Sequence, residues 1–452
     1  MPSAFIYLAV MLLVICVWFM VFKRPIYEAV LLSFLVLVLI TNSWAHVWVY
    51  VEDALQTNLI YSMVAFVALS QILVKTKVID SCVAVIMSLF GRITGGAGYV
   101  TLIASSFMGA LSGSGPGNIM ATGTITVPAM KKTGFPPELA ANIVSTSSYL
   151  GNMIPPSSNI VAAMGAYVVV CPNSDITQGQ FWIVLWGLAL WFILQRAITI
   201  FIFCKHYKVK PVPKEELPNL KETLKTGWKG LFLPVVILLP FVLDYIFKDT
   251  FFTQRLGVTG AKQLSSSMLL FTAGVAALFT ILIADDRKTV SIPAMVEAFT
   301  KGLKSLAPMV LTCIFGYMIG GLFDDLSVTA ELEAFVLSLS FSKFGMVLFL
   351  CVLTCFLGMA IPGSSIVVVF GPAFITLLAA VGVNPLLAAA MLPCICGVMC
   401  GITPPLALGM YAGMSLAQSE FTKTVKNDLW WVALQFILQV VILMGWLPIL
   451  GL

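Results

Sequence analysis

The residues of this chain that could do chemistry are small and neutral. Two groups of hydroxyl, amide and backbone oxygens stand beside glycines and prolines in otherwise apolar sequence. The first is Ser112, Ser114 and Asn118 with Ser147, Asn152 and Pro155; the second is Gly358, Ser364 and Ser365 with Gly401, Thr403 and Pro404. Pro155, Pro156, Pro404 and Pro405 cannot donate a backbone hydrogen bond, and each disfavours helix in the residue before it. In lipid every backbone N–H and C=O needs a partner, so unwound backbone at membrane depth is tolerated where it lines a polar cavity. Its free carbonyls can coordinate a cation, and the ends of the half-helices add partial charge. A single Ser or Thr in a helix usually bonds back to its own backbone. Two such groups, each beside a break, favour ligands over helix residues.

The elements that must position these groups repeat. Residues 107–156 and 356–405 both begin Phe-x-Gly and both end Pro-Pro. A constant offset of 249 separates Gly109 from Gly358, Pro136 from Pro385 and Pro155 from Pro404. Broken apolar segments at matching places in two halves point to a transporter binding site.

The surrounding composition fits. Of 452 residues, 60% are hydrophobic and only 10% charged, with mean hydropathy +1.02. A water-soluble domain does not have this make-up, so the fold class is an all-α polytopic membrane protein. The formal charge of +5 comes from loop lysines and implies no nucleic-acid partner. His46 and His206 lie far apart, and the ten cysteines show no CxxC, so neither type suggests a metal site.

A span needs roughly 20 apolar residues. Spans are expected over 5–22, 27–40 and 58–74, then a lateral helix over 78–90, a re-entrant hairpin over 98–130 with its tip at 112–118, a span over 138–170 broken at 151–156, and a span over 181–204. Residues 205–229, rich in lysine, read as a cytoplasmic linker. The second half repeats the order: spans over 230–247, 265–284 and 306–323, with a surface helix near 293–304. A lateral helix over 334–341, a hairpin over 346–380, a broken span over 385–416 and a last span over 429–450 follow. This makes two inverted-topology repeats, 1–204 and 230–452. Basic flanks such as Lys131-Lys132 mark the cytoplasm, so both termini are expected outside.

At SGSGPGN (112–118), TITV (124–127), PAMKK (128–132), GFP (134–136), Pro155-Pro156, LGM (357–359) and ITPP (402–405), the chain resembles the large membrane subunit of the tripartite ATP-independent periplasmic (TRAP) transporters. The resemblance covers nearly the whole chain. It implies a sodium-driven elevator transporter for organic acids in the bacterial inner membrane. It also implies a small four-helix membrane subunit and a separate periplasmic substrate-binding protein as partners. Many members carry an acidic residue where this chain has Asn118. On this reading the two oxygen groups hold sodium as a coupling ion, and no cofactor is expected. Asn118, Ser158, Asn159, Ser364 and Ser365 are the candidates for the anion, helped by half-helix N-termini. No Lys or Arg stands clearly at mid-membrane, so the anion is expected to meet neutral donors and bound cation.

Other classes fit less well. A channel wants a continuous ring of pore-lining polar groups, whereas polar residues here concentrate at two tips and two breaks. An enzyme is not expected: no HExxH or GxSxG motif is present. With no nucleotide-binding loop, the driving force is an ion gradient. A stand-alone carboxylate transporter of the same superfamily, without a binding protein, and proton-coupled uptake are the alternatives.

Overall fold

Only a helix satisfies its own backbone in lipid, and the apolar segments of this chain fold accordingly. The computed structural model describes all residues except 1–2, 57, 113–114, 173, 214, 216, 218, 285–289, 329, 332–333, 335–337, 339–340, 360–361 and 405–406. The side chains of some further helical residues, Ser112 among them, are also outside the description. Among the described residues there is no strand.

The first half begins with α1 (Ser3–Cys16), α2 (Ile26–Thr41), α3 (Val47–Gln56), α4 (Asn58–Thr76) and α5 (Val78–Phe90). The hairpin arms follow as α6 (Gly96–Ser112) and α7 (Gly115–Lys132), which pack on each other. Next come α8 (Pro137–Leu150) and α9 (Ser158–Val170), with a 3-10 turn at Gly151–Met153 between them, then α10 (Gln178–His206). The expected break is therefore present, and the axis bends there by 40°. The second half holds α11 (Leu220–Gly227), α12 (Leu233–Phe247), α13 (Thr253–Ile283) and α14 (Ile292–Asp325). It continues with α15 (Lys343–Gly358), α16 (Gly363–Ala380), α17 (Pro385–Leu392), a π-helical turn at Pro393–Val398, α18 (Met399–Ile402), α19 (Leu408–Ala417) and α20 (Phe421–Leu443).

Four of these segments are long and apolar enough to cross a bilayer among the described residues: Gln178–His206, Gly363–Ala380, Pro385–Ile402 and Phe421–Leu443. The bent α8–α9 pair makes a fifth. Other helices, such as Tyr27–Thr41, are apolar but shorter.

Three expectations change. The surface helix and span expected over 293–304 and 306–323 run as one helix, α14, with Pro308 inside it. A proline removes one ladder bond and kinks a helix without having to end it. The linker over 205–229 is partly helical, with α11 capped by the Asn219 side chain accepting from the Lys221 N–H at 3.0 Å. The last helix starts eight residues before the expected 429 and stops at Leu443, where Gly445 turns the chain at φ 79°. Its first turns are polar, which hides them from a hydropathy reading. The second lateral helix, expected over 334–341, falls largely outside the described residues.

The halves interleave rather than lie side by side. α19 packs on α8 and α7, α16 packs on α9, and the turn at Gly151–Met153 meets the π-turn at Pro393–Val398. Lys131 at the end of α7 donates its Nζ to the Ala417 carbonyl at the end of α19, at 2.9 Å. A cation there complements the negative end of the helix dipole. Around this unit stand α2, α3, α4, α13 and α14, joined to it through α4 against α6 and α9, and α14 against α16.

Candidate functional site

The site is built where the two breaks meet. Pro155 and Pro156 stop α8 from continuing into α9, and Ser157 restarts the helix as an N-cap: its Oγ accepts from the Asn159 N–H at 3.3 Å. A serine at this position satisfies one of the free N–H groups of a new helix. Asn152, Ser158 and Asn159 thereby become fixed and buried, at 5%, 4% and 4% exposure.

Glycine allows the opposing wall to come close. A methyl group on Gly397, in the π-turn, would stand 3.3 Å from Asn159 Nδ2 and 3.6 Å from Asn152 Cβ. A methyl on Gly363, at the start of α16, would stand 2.6 Å from the Cα of the same Gly397. The N-termini of α9 and α16 therefore converge on one stretch of backbone. Their free N–H groups and positive dipole ends favour an anion there.

The second half repeats the close approach of the first. Gly109 of α6 lies against Gly151, and Gly358 of α15 lies against Cys400. The offset of 249 relates both members of the two contacts. In each half a hairpin arm thus touches its own break with no room for a side chain. Tyr149 adds a clamp between halves: its ring lies against Gly115 at the first hairpin tip and against Gly401 and Gly409 on either side of the second break.

Of the first group, Asn118, Ser147, Asn152 and Pro155 are buried around the first break. Asn118 stands one turn inside α7 rather than in the tip, and its Nδ2 donates to the Ser105 carbonyl at 2.6 Å. Ser106 Oγ donates to the Ser147 carbonyl at 3.1 Å. Ser114 and the Ser112 side chain lie outside the described residues. Of the second group, Gly358, Ser365, Gly401 and Thr403 are buried, whereas Ser364 and Pro404 are half-buried. Thr403 donates its hydroxyl to the Met399 carbonyl at 2.7 Å.

Four buried side-chain oxygens around the first break lack a hydrogen-bond partner: Asn118 Oδ1, Asn152 Oδ1, Asn159 Oδ1 and Ser148 Oγ. Buried amide oxygens without donors are costly. A cation is the ligand that such oxygens accept most readily.

Three positions escape the sequence reading: Ser157, Tyr149 and Arg196. Ser157 follows a Pro-Pro break and was legible as an N-cap. Arg196 is a buried basic residue that the sequence reading did not single out. It sits within the apolar α10 at 1% exposure, with Nε donating to the Thr146 carbonyl at 3.3 Å. An arginine in the apolar interior of a 29-residue helix, nine residues before its basic last turn, was the available signal.

Comparison with known proteins agrees with this architecture. The profile of the family described as "Tripartite ATP-independent periplasmic transporter, DctM component" matches residues 5–450. The C4-dicarboxylate TRAP transporter large permease protein DctM of Vibrio cholerae is 26% identical over 397 residues, covering 80% of each chain. The sialic acid TRAP transporter large permease protein SiaM of the same species is 23% identical over 325 residues, covering 72% of this chain and 69% of that one. Among solved structures, Neisseria gonorrhoeae MtrF superposes with a TM-score of 0.63 at 12% identity, over 92% of this chain and 86% of that one. The Alcanivorax borkumensis YdaH transporter gives 0.62 at 15% identity, over 90% and 88%. At these identities the two structures speak to the fold alone. With a family profile matched from end to end and an all-helical fold shared with membrane transporters, the chain belongs to the DctM family, the large permease component of the tripartite ATP-independent periplasmic transporters, and is a multi-pass membrane protein.

Proposed function

We propose that this chain is the permease subunit of a binding-protein-dependent secondary transporter that imports small organic acids on a sodium gradient. The observation that carries the reading is the set of buried, unpartnered amide oxygens of Asn118, Asn152 and Asn159 around the first break, beside two converging helix N-termini. Oxygens without donors suit sodium; helix N-termini suit an anion. Both ligands are thus provided for at one place. Sodium is assigned to the two oxygen groups around the breaks. The anion is assigned to Ser158, Asn159, Ser364 and Ser365, with Asn118 closing the first hairpin side.

The relatives point to the cargo class. Their names specify C4-dicarboxylates, sialic acid and, for a protein of Oleidesulfovibrio alaskensis, isethionate. All are organic anions. A small membrane subunit and a periplasmic binding protein are the proposed partners. The interleaved unit of hairpins and broken spans is proposed to slide against α2–α4, α13 and α14 as an elevator. One elementary charge crossing 100 mV supplies about 2.3 kcal/mol, so two or three sodium ions per anion would drive strong accumulation.

The test is uptake into proteoliposomes containing this chain and its small subunit, with the cognate binding protein outside. Succinate and sialic acid are offered under an imposed sodium gradient, an imposed pH gradient, or neither. Sodium-dependent uptake of an organic acid is expected. Uptake driven by the pH gradient alone would overturn sodium coupling, and uptake unaffected by omitting the binding protein would favour a stand-alone carrier.

A further inference from the structure

Arg196 is among the largest fully buried side chains of the molecule. A guanidinium stays charged under any physiological condition. Its recorded acceptors are neutral: the Thr146 carbonyl takes Nε at 3.3 Å and Gln195 Oε1 takes Nη1 at 3.2 Å. Among the described residues no carboxylate lies within ion-pair distance of it. Asp428, the buried carboxylate of α20, leaves both of its own oxygens unpartnered. A buried charge without a counter-charge is expensive, and helix packing alone gives no reason for one.

Position supplies the reason. Thr146 belongs to α8, six residues before Asn152. The Arg196 helix, α10, also packs on α17, which leads into the π-turn that carries Gly397. Arg196 therefore stands behind the wall that Asn152 and Asn159 face. It touches neither of them, and in a low-dielectric interior its field still reaches the cradle. We propose that Arg196 is a positioning residue that couples the two ligands: its fixed positive charge weakens sodium binding while the cradle holds no anion and relaxes that penalty once an organic anion is bound. This rests on the sodium-and-anion reading above and adds to it the group that makes occupancy of one site conditional on the other.

The experiment measures sodium alone, so it does not need the substrate. The purified protein in lipid nanodiscs is titrated with NaCl against choline chloride at constant ionic strength, and its melting temperature is followed. Arg196→Gln removes the charge and is expected to lower the half-saturating sodium concentration at least fivefold. Arg196→Lys keeps the charge and should stay within twofold of the unaltered protein. If Arg196→Gln does not fold, Gln195→Glu serves. Gln195 Oε1 accepts from Arg196 Nη1 at 3.2 Å, and the adjoining guanidinium keeps a carboxylate there ionised. That variant neutralises Arg196 in place and should shift sodium the same way. A merely structural arginine predicts weaker sodium binding on substitution, the opposite sign. Unchanged or raised half-saturation in Arg196→Gln, or in Gln195→Glu if that alone folds, overturns this inference. Absence of any saturable sodium response in the unaltered protein would instead overturn the sodium reading on which it stands.

Discussion

At the scale of single residues, the asparagines decide most. Asn152 Oδ1 has no protein donor, so removing it forfeits no internal hydrogen bond. Asn152→Ala should therefore leave the melting temperature in sodium-free buffer unchanged or slightly raised, while the half-saturating sodium for uptake rises about tenfold, a loss of about 1.4 kcal/mol. Equal sodium dependence in mutant and parent would take Asn152 out of the site. Asp324, at the C-terminal end of α14, offers a pH test. Burial, then the neighbouring Asp325, raises its pKa from 3.8 to about 6. Its folded state holds a proton that the unfolded state releases, so its contribution is fully present below about pH 4 and is lost as pH rises through 6. The side chain stays accessible to water, so screening limits the effect to about 1 kcal/mol or less. Asp324→Asn should be the more stable protein at pH 7.5, with the two melting curves converging near pH 4. The sequence made Asn152 and Asn159 legible because they flank Pro-Pro. Arg196 was not, because its burial depends on how α10 meets α8 and α17, which no local pattern encodes.

At the scale of elements, the repeated landmarks read from the sequence reappear as contacts. Gly109 against Gly151 and Gly358 against Cys400 keep one offset. The helices at 78–90, 96–112 and 115–132 and the first break were all legible, since each has an apolar run bounded by glycine, proline or lysine. Boundaries failed where such signals mislead, as with Pro308 inside α14 and the polar first turns of α20. The close contacts make a prediction of contrast. Gly109→Ala forces a methyl against the first break and should cost about 1–3 kcal/mol by overpacking. Gly274→Ala in α13 meets open space and should be neutral or stabilising by up to about 1 kcal/mol. Chemical denaturation of both variants in detergent would check this; equal stabilities would mean that the break yields to the arm.

At the scale of the whole molecule, α4 and α14 form the face along which the proposed sliding would occur. Gly316 lies against Val368 of α16, and Gly165 of α9 lies against Tyr317. A cysteine pair at positions 316 and 368, in a background free of other cysteines, should cross-link readily. If the unit slides, the cross-link should abolish uptake and reduction should restore it. Full uptake with the bridge closed would rule that motion out. The interleaving of the halves has a further consequence, in the making of the protein. Tyr149 and α8 find their partners in α19, at residues 408–417. At about 5–20 residues per second, the ribosome needs roughly 10–50 s to supply them. Until then Asn118, Asn152 and Asn159 sit in an unfinished bundle with no second half to shield them from lipid. A nascent chain released before residue 408 can insert its early helices and still never close its centre, so quality control in the membrane should recognise truncated copies by their uncovered amides and destroy them.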